Sequence, residues 1–313
     1  MKKNRFFSLT TLTITSMYMY NKFINTKAKN LYPINHYSNF QYKWRYGNIY
    51  YTKHGKGSPL LFIHDISSGS SSFEWQYLIS EFEKDYTVYA LDLIGCGRSE
   101  KPCFTYTNFL FVQLINDFIC DIIKEKCNVV TSGSASSIAL MTALYKEDLT
   151  NKIIMINPIS ISTELQSVSK ENYYKNKLFN FPIIGTFLAN RLNTREVFEN
   201  LFYDYYFNNP YKAENAYIDA YYSSYHNNHT SKSLFSSVYN NYTHTDISLP
   251  LKKVENQIYI IGGENEEHIY ETMKEYTSLN HNIQTEVINN AKHLPQLEYP
   301  SEVISIIDNI LNR

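Results

Sequence analysis

From about residue 40 the chain alternates short apolar runs with longer segments whose apolar positions recur at helical spacing. Residues 40–45 and 48–54 alternate around Gly47, which predicts a hairpin. Gly55, Gly57 and Pro59 then punctuate the chain before residues 60–64, a wholly apolar strand closed by His64. A Ser/Gly-rich loop at 67–72 leads into an amphipathic helix at 73–83. A second buried strand at 86–92 ends in a loop holding Gly95 and Gly97. Helical spacing over 109–126, a strand at 128–132, a helix at 134–145 and a strand at 152–157, closed by Pro158, complete this half. Continuous apolar strands alternating with helices imply a mostly parallel sheet covered on both faces.

The rhythm stops after Pro158. Residues 160–249 read as helical or irregular and are crowded with aromatics, among them Phe202, Tyr206, Tyr221 and Tyr225. Strands at 257–261 and 284–288 and a closing helix at 301–311 then restore the α/β pattern. A segment of that length is too long for an ordinary loop, so a helical insertion between two sheet strands is the simplest architecture. The expected organisation is a leader over 1–39, an α/β core from 40–158 and 251–313, and a helical cap over 159–250.

Composition narrows the class. With 313 residues, 43% hydrophobic and 19% charged, the chain can bury one large core. A formal net charge of -1 and the lack of a basic stripe interleaved with aromatics argue against a nucleic-acid partner. The cysteines Cys96, Cys103, Cys120 and Cys127 form no CxxC pair and read as free thiols. Lys2, Lys3 and Arg5 precede an apolar but Thr-rich run over 6–24, broken by Asn21 and Lys22. That run reads as a weak export signal or membrane anchor, giving a cytoplasmic or membrane-associated protein; the competing reading is an irregular N-terminal helix.

Candidate chemistry gathers at strand ends. After the strand at 128–132 comes Ser132-Gly133-Ser134-Ala135-Ser136-Ser137, a tight strand-to-helix turn of small residues. Such a turn suits a nucleophile projecting above the sheet, and equally a polar cluster capping a helix. An esterase-type serine needs a base and an acid to orient that base. His293 follows the last strand in Asn290-Ala291-Lys292-His293-Leu294-Pro295, and Glu264, Glu266 and Glu267 follow the strand before it. Spacing alone leaves these three glutamates equivalent. Gly95 and Gly97 lack the context of a dinucleotide site, and no cofactor or metal is called for. His226, His229 and His244 lack zinc-ligand spacing and are expected at the surface of the cap.

Three stretches resemble the α/β-hydrolase superfamily, especially its capped esterases and lipases, and the resemblance covers residue 40 to the end. Leu60-Leu61-Phe62-Ile63-His64-Asp65 is similar to the family's strand and oxyanion loop, where His-Gly is usual. Asp92-Leu93-Ile94-Gly95-Cys96-Gly97-Arg98-Ser99 matches the Asp-x-x-Gly-x-Gly-x-Ser stretch. Ala291-Lys292-His293-Leu294-Pro295 looks like the catalytic-histidine loop. The resemblance implies Ser134 as nucleophile, His293 as base, Glu266 as acid, and the Ile66 and Ala135 amides as the oxyanion hole. His64 would brace the oxyanion loop, Asp92 its own turn, and Arg98 would pair with a carboxylate. The chain departs from the pattern at Ser132 and Ser136, which replace elbow glycines, at Glu266, where Asp is usual, and at Asp65. The last bears on activity most: a carboxylate there faces a developing oxyanion unless it turns to the 67–72 loop.

The implied activity is hydrolysis of a small apolar acyl or ester compound without a cofactor. Ser134 argues against the family members that use an aspartate nucleophile, such as epoxide hydrolases. The rival expectation is an impaired member kept as a binding or interaction protein, on the strength of Asp65, Ser132 and Ser136.

Overall fold

The structure, a computed structural model, describes residues 2–29, 31, 39–227 and 230–313. Eight strands form one sheet in the order β1-β2-β4-β3-β5-β6-β7-β8. They are β1 (Asn39–Trp44), β2 (Gly47–His54), β3 (Pro59–Ile63), β4 (Thr87–Leu91), β5 (Cys127–Ser132), β6 (Thr150–Ile156), β7 (Ile258–Gly263) and β8 (Gln284–Ile288). β1 and β2 pair antiparallel, as do β2 and β4; every other neighbour is parallel. The strand and helix expectations hold to within a residue or two. One differs in kind: the helix Asn108–Phe118 runs into a π-helical turn, Ile119–Ile123, and Lys124 ends it in the left-handed region at φ 65.

Parity along the strands decides which face each side chain feeds. Leu61 and Ile63 of β3 and Tyr89 and Leu91 of β4 join Phe111, Ile115 and Ile138 on one face. Leu60, Phe62, Val88 and Ala90 turn the other way, onto Trp75, Leu78 and Phe82, with Val303 and Ile307 of the closing helix Pro300–Leu311. Each Val, Leu, Ile or Phe side chain among these is worth about 1.5–3 kcal/mol when fully buried.

The chain between β6 and β7 supplies a series of short helices from Ile161–Glu164 to Ser248–Lys253. Their aromatic side chains form a third cluster: Phe198, Phe202, Phe207, Tyr217, Tyr221 and Tyr225 pack with Leu294 and Leu297, which follow His293 in the chain. His226, expected at the surface, is fully buried there. Its Nε2 lies 3.0 Å from the Asn193 carbonyl, and its ring packs between Tyr222 and Tyr225. Aromatic packing at helical spacing outweighs the polarity of one imidazole, whose burial pushes its pKa down to about 4. His244 is half-buried, and His229 lies outside the described residues.

The segment read as a leader or anchor contains a helix, Lys2–Lys29. It docks on the insertion: Asn21 Nδ2 donates to the Ile183 carbonyl at 3.1 Å, Asn190 Nδ2 donates to Asn21 Oδ1 at 2.9 Å, and Tyr20 meets Phe187 edge-on. Among the described residues no helix is long and apolar enough to cross a membrane.

The turn after β4 is stapled by one carboxylate. Asp92 accepts from the Ser72 amide at 2.7 Å and from the Arg98 amide at 2.8 Å. Arg98 itself stacks over Tyr50, its guanidinium 4.6 Å from the ring centre. Gly97 sits at φ +48, and a Cβ there would lie 2.3 Å from Asp92 Oδ2. Gly97→Ala should therefore cost about 1–3 kcal/mol, from left-handed strain and displacement of the staple. Urea unfolding checks this; an unchanged midpoint would mean the turn is not held in this way.

Candidate active site

Strand β5 ends at Ser132, and the chain reverses into the helix Ala135–Tyr145. The residue that makes the turn is Gly133, at φ +57, with its amide donating to the Ile156 carbonyl at 2.9 Å. Ser134 is already helical, at φ -66 and ψ -16. A strained strand-to-helix turn is what lifts a nucleophile above the sheet. Here the residue in that position has no side chain. Its flanking small residues are Thr131 and Ala135, both fully buried, rather than Ser132 and Ser136.

The space that a side chain on Gly133 would occupy is filled. A Cβ there would lie 2.4 Å from Asp65 Oδ1 and 2.7 Å from its carboxyl carbon. Asp65 reaches this place from the loop after β3. His64 fixes that loop: its Nε2 accepts the Leu93 amide at 2.9 Å, so Nδ1 carries the proton and donates it to the Asp65 carbonyl at 2.7 Å. Asp65 Oδ1 then accepts two bonds, from the Ser134 amide at 2.8 Å and from the Ser134 hydroxyl at 2.6 Å. The Ile66 amide backs the hydroxyl, donating to Ser134 Oγ at 3.3 Å. Asp65 Oδ2 makes no hydrogen bond among the described residues, and the residue is part exposed.

Opposite stands an oriented histidine. His293 Nδ1 lies 2.9 Å from Glu266 Oε1, which leaves Nε2 as the nitrogen turned away from that carboxylate. Of the three candidate glutamates, Glu264 accepts the Asn290 amide instead and Glu267 contacts His268 near the surface. Asn157, at the end of β6 with φ 44, ties both loops together. Its Nδ2 donates to the Lys292 and His293 carbonyls at 2.7 and 2.9 Å, and its Oδ1 accepts the Gly263 amide at 2.8 Å. The insertion closes over this histidine. Tyr206, last residue of a π-helical turn, stacks on the His293 ring at 5.4 Å, and its carbonyl accepts the Leu294 amide at 3.1 Å.

A third carboxyl lies beneath. Glu74 is fully buried, accepting from the Tyr221 hydroxyl at 2.8 Å and from Gln296 Nε2 at 3.4 Å. Burial, with the Asp65 charge behind it, raises Glu74 to about 7, while Tyr221, Ser70 and His293 pull the other way. Burial of the His293 ring disfavours its charged form, but the Glu266 bond and charge, followed by Asp65 and Glu74, outweigh it. They lift His293 to about 9. At neutral pH the His293 ring is therefore held mainly as an imidazolium.

The structure thus brings His293 and Glu266 together as expected, and places Ile66 beside Ser134. It does not pair Ser134 with His293: the hydroxyl proton goes to Asp65. The amide following the turn residue belongs to Ser134, not to Ala135, which is buried as the first residue of its helix. The frame slips by one because Ser-Gly-Ser offers two serines around the only residue that adopts φ > 0 without strain. That preference was the signal available in the sequence. Glu74, Asn157 and Tyr206 were missed as site residues, since nothing local in the chain connects them to it.

With this geometry in place, comparison with known proteins agrees on the class. The sequence profile of the Alpha/beta hydrolase family matches residues 60–306, and the chain belongs to that family. Two curated relatives align over part of the chain. A 2-hydroxy-6-oxo-6-(2'-aminophenyl)hexa-2,4-dienoic acid hydrolase of Metapseudomonas resinovorans is 26% identical over 37% of the chain, and Epoxide hydrolase 3 of Mus musculus is 30% identical over 36%. These alignments span only 40% and 31% of the relatives' own lengths. A crystal structure of a serine hydrolase involved in carbazole degradation superposes with a TM-score of 0.73 at 19% identity, over 88% of this chain and 99% of that one. That likeness concerns the fold.

The raised His293 pKa has a measurable sign. It lies above the ordinary value of about 6.5, so the stability it confers is fully present below that pH and is lost as pH rises through about 9. In Glu266→Gln the ring should titrate clearly lower and the alkaline loss of stability should shift down with it. NMR titration of the His293 ring protons checks this. An unchanged pKa in the variant would remove Glu266 as the partner.

Proposed function

We propose that this chain is a hydrolase for a small, largely apolar molecule, in which His293 transfers protons and Glu266 orients it. The observation that carries this reading is the 2.9 Å His293–Glu266 bond between the loops that follow β7 and β8, with Tyr206 stacked on the histidine ring and the Asp65 charge near enough to bear on it. An imidazole oriented by a carboxylate beneath a cover of side chains is an arrangement that proton transfer uses. Tyr206 and Tyr221 give the neighbourhood of the site an apolar body with hydroxyl tips, suited to an aromatic or aliphatic substrate.

The finer reading, an ester attacked by Ser134, requires the hydroxyl to leave Asp65 and turn to His293. The rival reading, a binding protein without turnover, is favoured by the missing side chain at Gly133 and by the Ser134 amide already engaged by Asp65.

Assay of the purified chain on short p-nitrophenyl esters and aryl epoxides separates these readings. Turnover is expected, and His293→Ala should lose about 10²–10⁴-fold with its circular dichroism retained. Labelling by a fluorophosphonate that disappears in Ser134→Ala would establish the serine route. A rate that survives His293→Ala, or no turnover of any probe, would sink the hydrolase reading.

A further inference from the structure

We propose that the helix Lys2–Lys29 seats the protein on an anionic lipid surface. Its exposed stripe of Leu12, Met19 and Phe23 lies in the boundary between headgroups and acyl chains, and Lys22, Lys27 and Lys29 meet the lipid phosphates. This surface is independent of the hydrolase reading above.

The charge of this helix sets it apart from the rest of the chain. Six of the 29 Lys and Arg fall within it, namely Lys2, Lys3, Arg5, Lys22, Lys27 and Lys29, and none of the 30 Asp and Glu do. The remainder of the chain is net acidic. A cationic segment on an otherwise acidic protein is drawn to anionic surfaces and orients the molecule toward them. Lys22, Lys27 and Lys29 make no ion pair among the described residues. The helix dipole accounts for lysines in the last turn, but not for Lys22 or for the lack of any carboxylate.

Geometry puts apolar side chains between these charges. Successive helical residues turn by about 100°, so Leu12, Met19 and Phe23 fall within about 20° of one line. They are 65%, 65% and 64% exposed. Lys22 and Lys27 flank that line, one on each side. Asn21 and Ala28 lie nearly opposite and belong to the docked face. Asn21 bonds the Ile183 carbonyl and Asn190, and the Ala28 carbonyl accepts the Ser223 hydroxyl at 2.7 Å. Rolling the apolar stripe inward would break these bonds. Lysines beside an apolar stripe suit a helix lying in the plane of a membrane, where their stems reach up to phosphates. The helix is too polar to span a bilayer, which leaves the surface as its place. A second copy of the chain would bring like charges face to face.

A cleft of about 410 Å³ opens beside the stripe, between this helix and the helix Ile184–Leu192. Its lining includes Tyr18, Lys22, Asn25, Thr26, Lys29 and Thr186, and no carboxylate. Asn25 Oδ1 accepts the Thr230 hydroxyl at 3.2 Å, so what Asn25 has left to offer is its amide donor. Two ammonium groups among hydroxyl and amide donors suit the phosphate of a lipid headgroup.

The test is sedimentation of the full chain with vesicles of phosphatidylcholine, alone or with about a third phosphatidylglycerol, at low and high salt. Binding to the anionic vesicles only, lost at high salt, is expected. A lysine near such a surface changes affinity about fivefold, so Lys22→Gln, Lys27→Gln and Lys29→Gln together should weaken binding about a hundredfold. Met19→Ser with Phe23→Ser should weaken it at least about tenfold. In Phe23→Trp the new emission should shift to the blue on anionic vesicles. All these positions are exposed, and circular dichroism of each variant should match the native chain. Equal binding to neutral vesicles, or none to either, overturns the proposal, as does binding that survives either set of substitutions. Displacement from vesicles by inorganic phosphate at matched ionic strength would make the cleft a site for free phosphate and overturn the lipid assignment. A dimer that dissociates in Phe23→Ser, without vesicle binding, would give the stripe to a second copy and overturn it too. None of these outcomes bears on turnover of soluble probes at His293.

Discussion

Everything at the carboxyl edge of the sheet is arranged around the two bonds that Asp65 Oδ1 accepts from Ser134. A tight turn between β5 and its helix leaves one backbone position in the left-handed region, and glycine fills it without strain. Glycine also leaves a hole. A carboxylate from the neighbouring loop enters that hole, satisfies the first amide of the helix, and brings negative charge to the helix N-terminus, where it is favoured. His64 holds the backbone that delivers it, bridging the Asp65 carbonyl and the Leu93 amide from a fully buried position.

That negative group adds to the shifts of its neighbours, behind burial at Glu74 and behind Glu266 at His293. Three carboxyls, Glu266, Asp65 and Glu74, bear on one imidazole. His293 gains a proton because Glu266 is bonded to it and Asp65 and Glu74 lie behind; Glu74 is pushed up to about 7 by burial and by Asp65. The insertion takes part in this balance. Tyr221 bonds Glu74, Tyr206 covers the histidine ring, and Gln296 links Glu74 to Ser132 at the end of β5. Insertion, sheet and histidine loop are therefore joined by one set of polar contacts.

Much of this was readable in the chain. The wholly apolar strands and the break in rhythm after Pro158 carry their signal in local pattern, because parallel strands buried on both faces tolerate little else, whereas Glu266 was set apart from its neighbours only by the family resemblance. Asp65 was visible as an anomaly, and its effect depended on a direction that only the fold supplies. The turn was misread by one residue for a physical reason: in Ser132-Gly133-Ser134 the reactive residue type and the conformationally permissive one are adjacent. Side-chain chemistry drew attention to the serine, while the backbone demanded the glycine. Glu74, Asn157 and Tyr206 come from three distant segments, and His226 is buried by tertiary aromatic packing that periodicity alone does not specify.

The central claim is that Asp65 and the vacancy at Gly133 are one unit, and a double-mutant cycle measures that unit directly. Gly133→Ala is compared by urea unfolding in the native background and in Asp65→Gly. The strain of alanine at φ +57 is common to both and cancels. Residues sharing one space couple by about 0.5–3 kcal/mol. Alanine at 133 should therefore cost clearly less, by at least about 1 kcal/mol, once the carboxylate is gone. Additivity within about 0.5 kcal/mol would mean that Asp65 does not fill the place of the missing side chain.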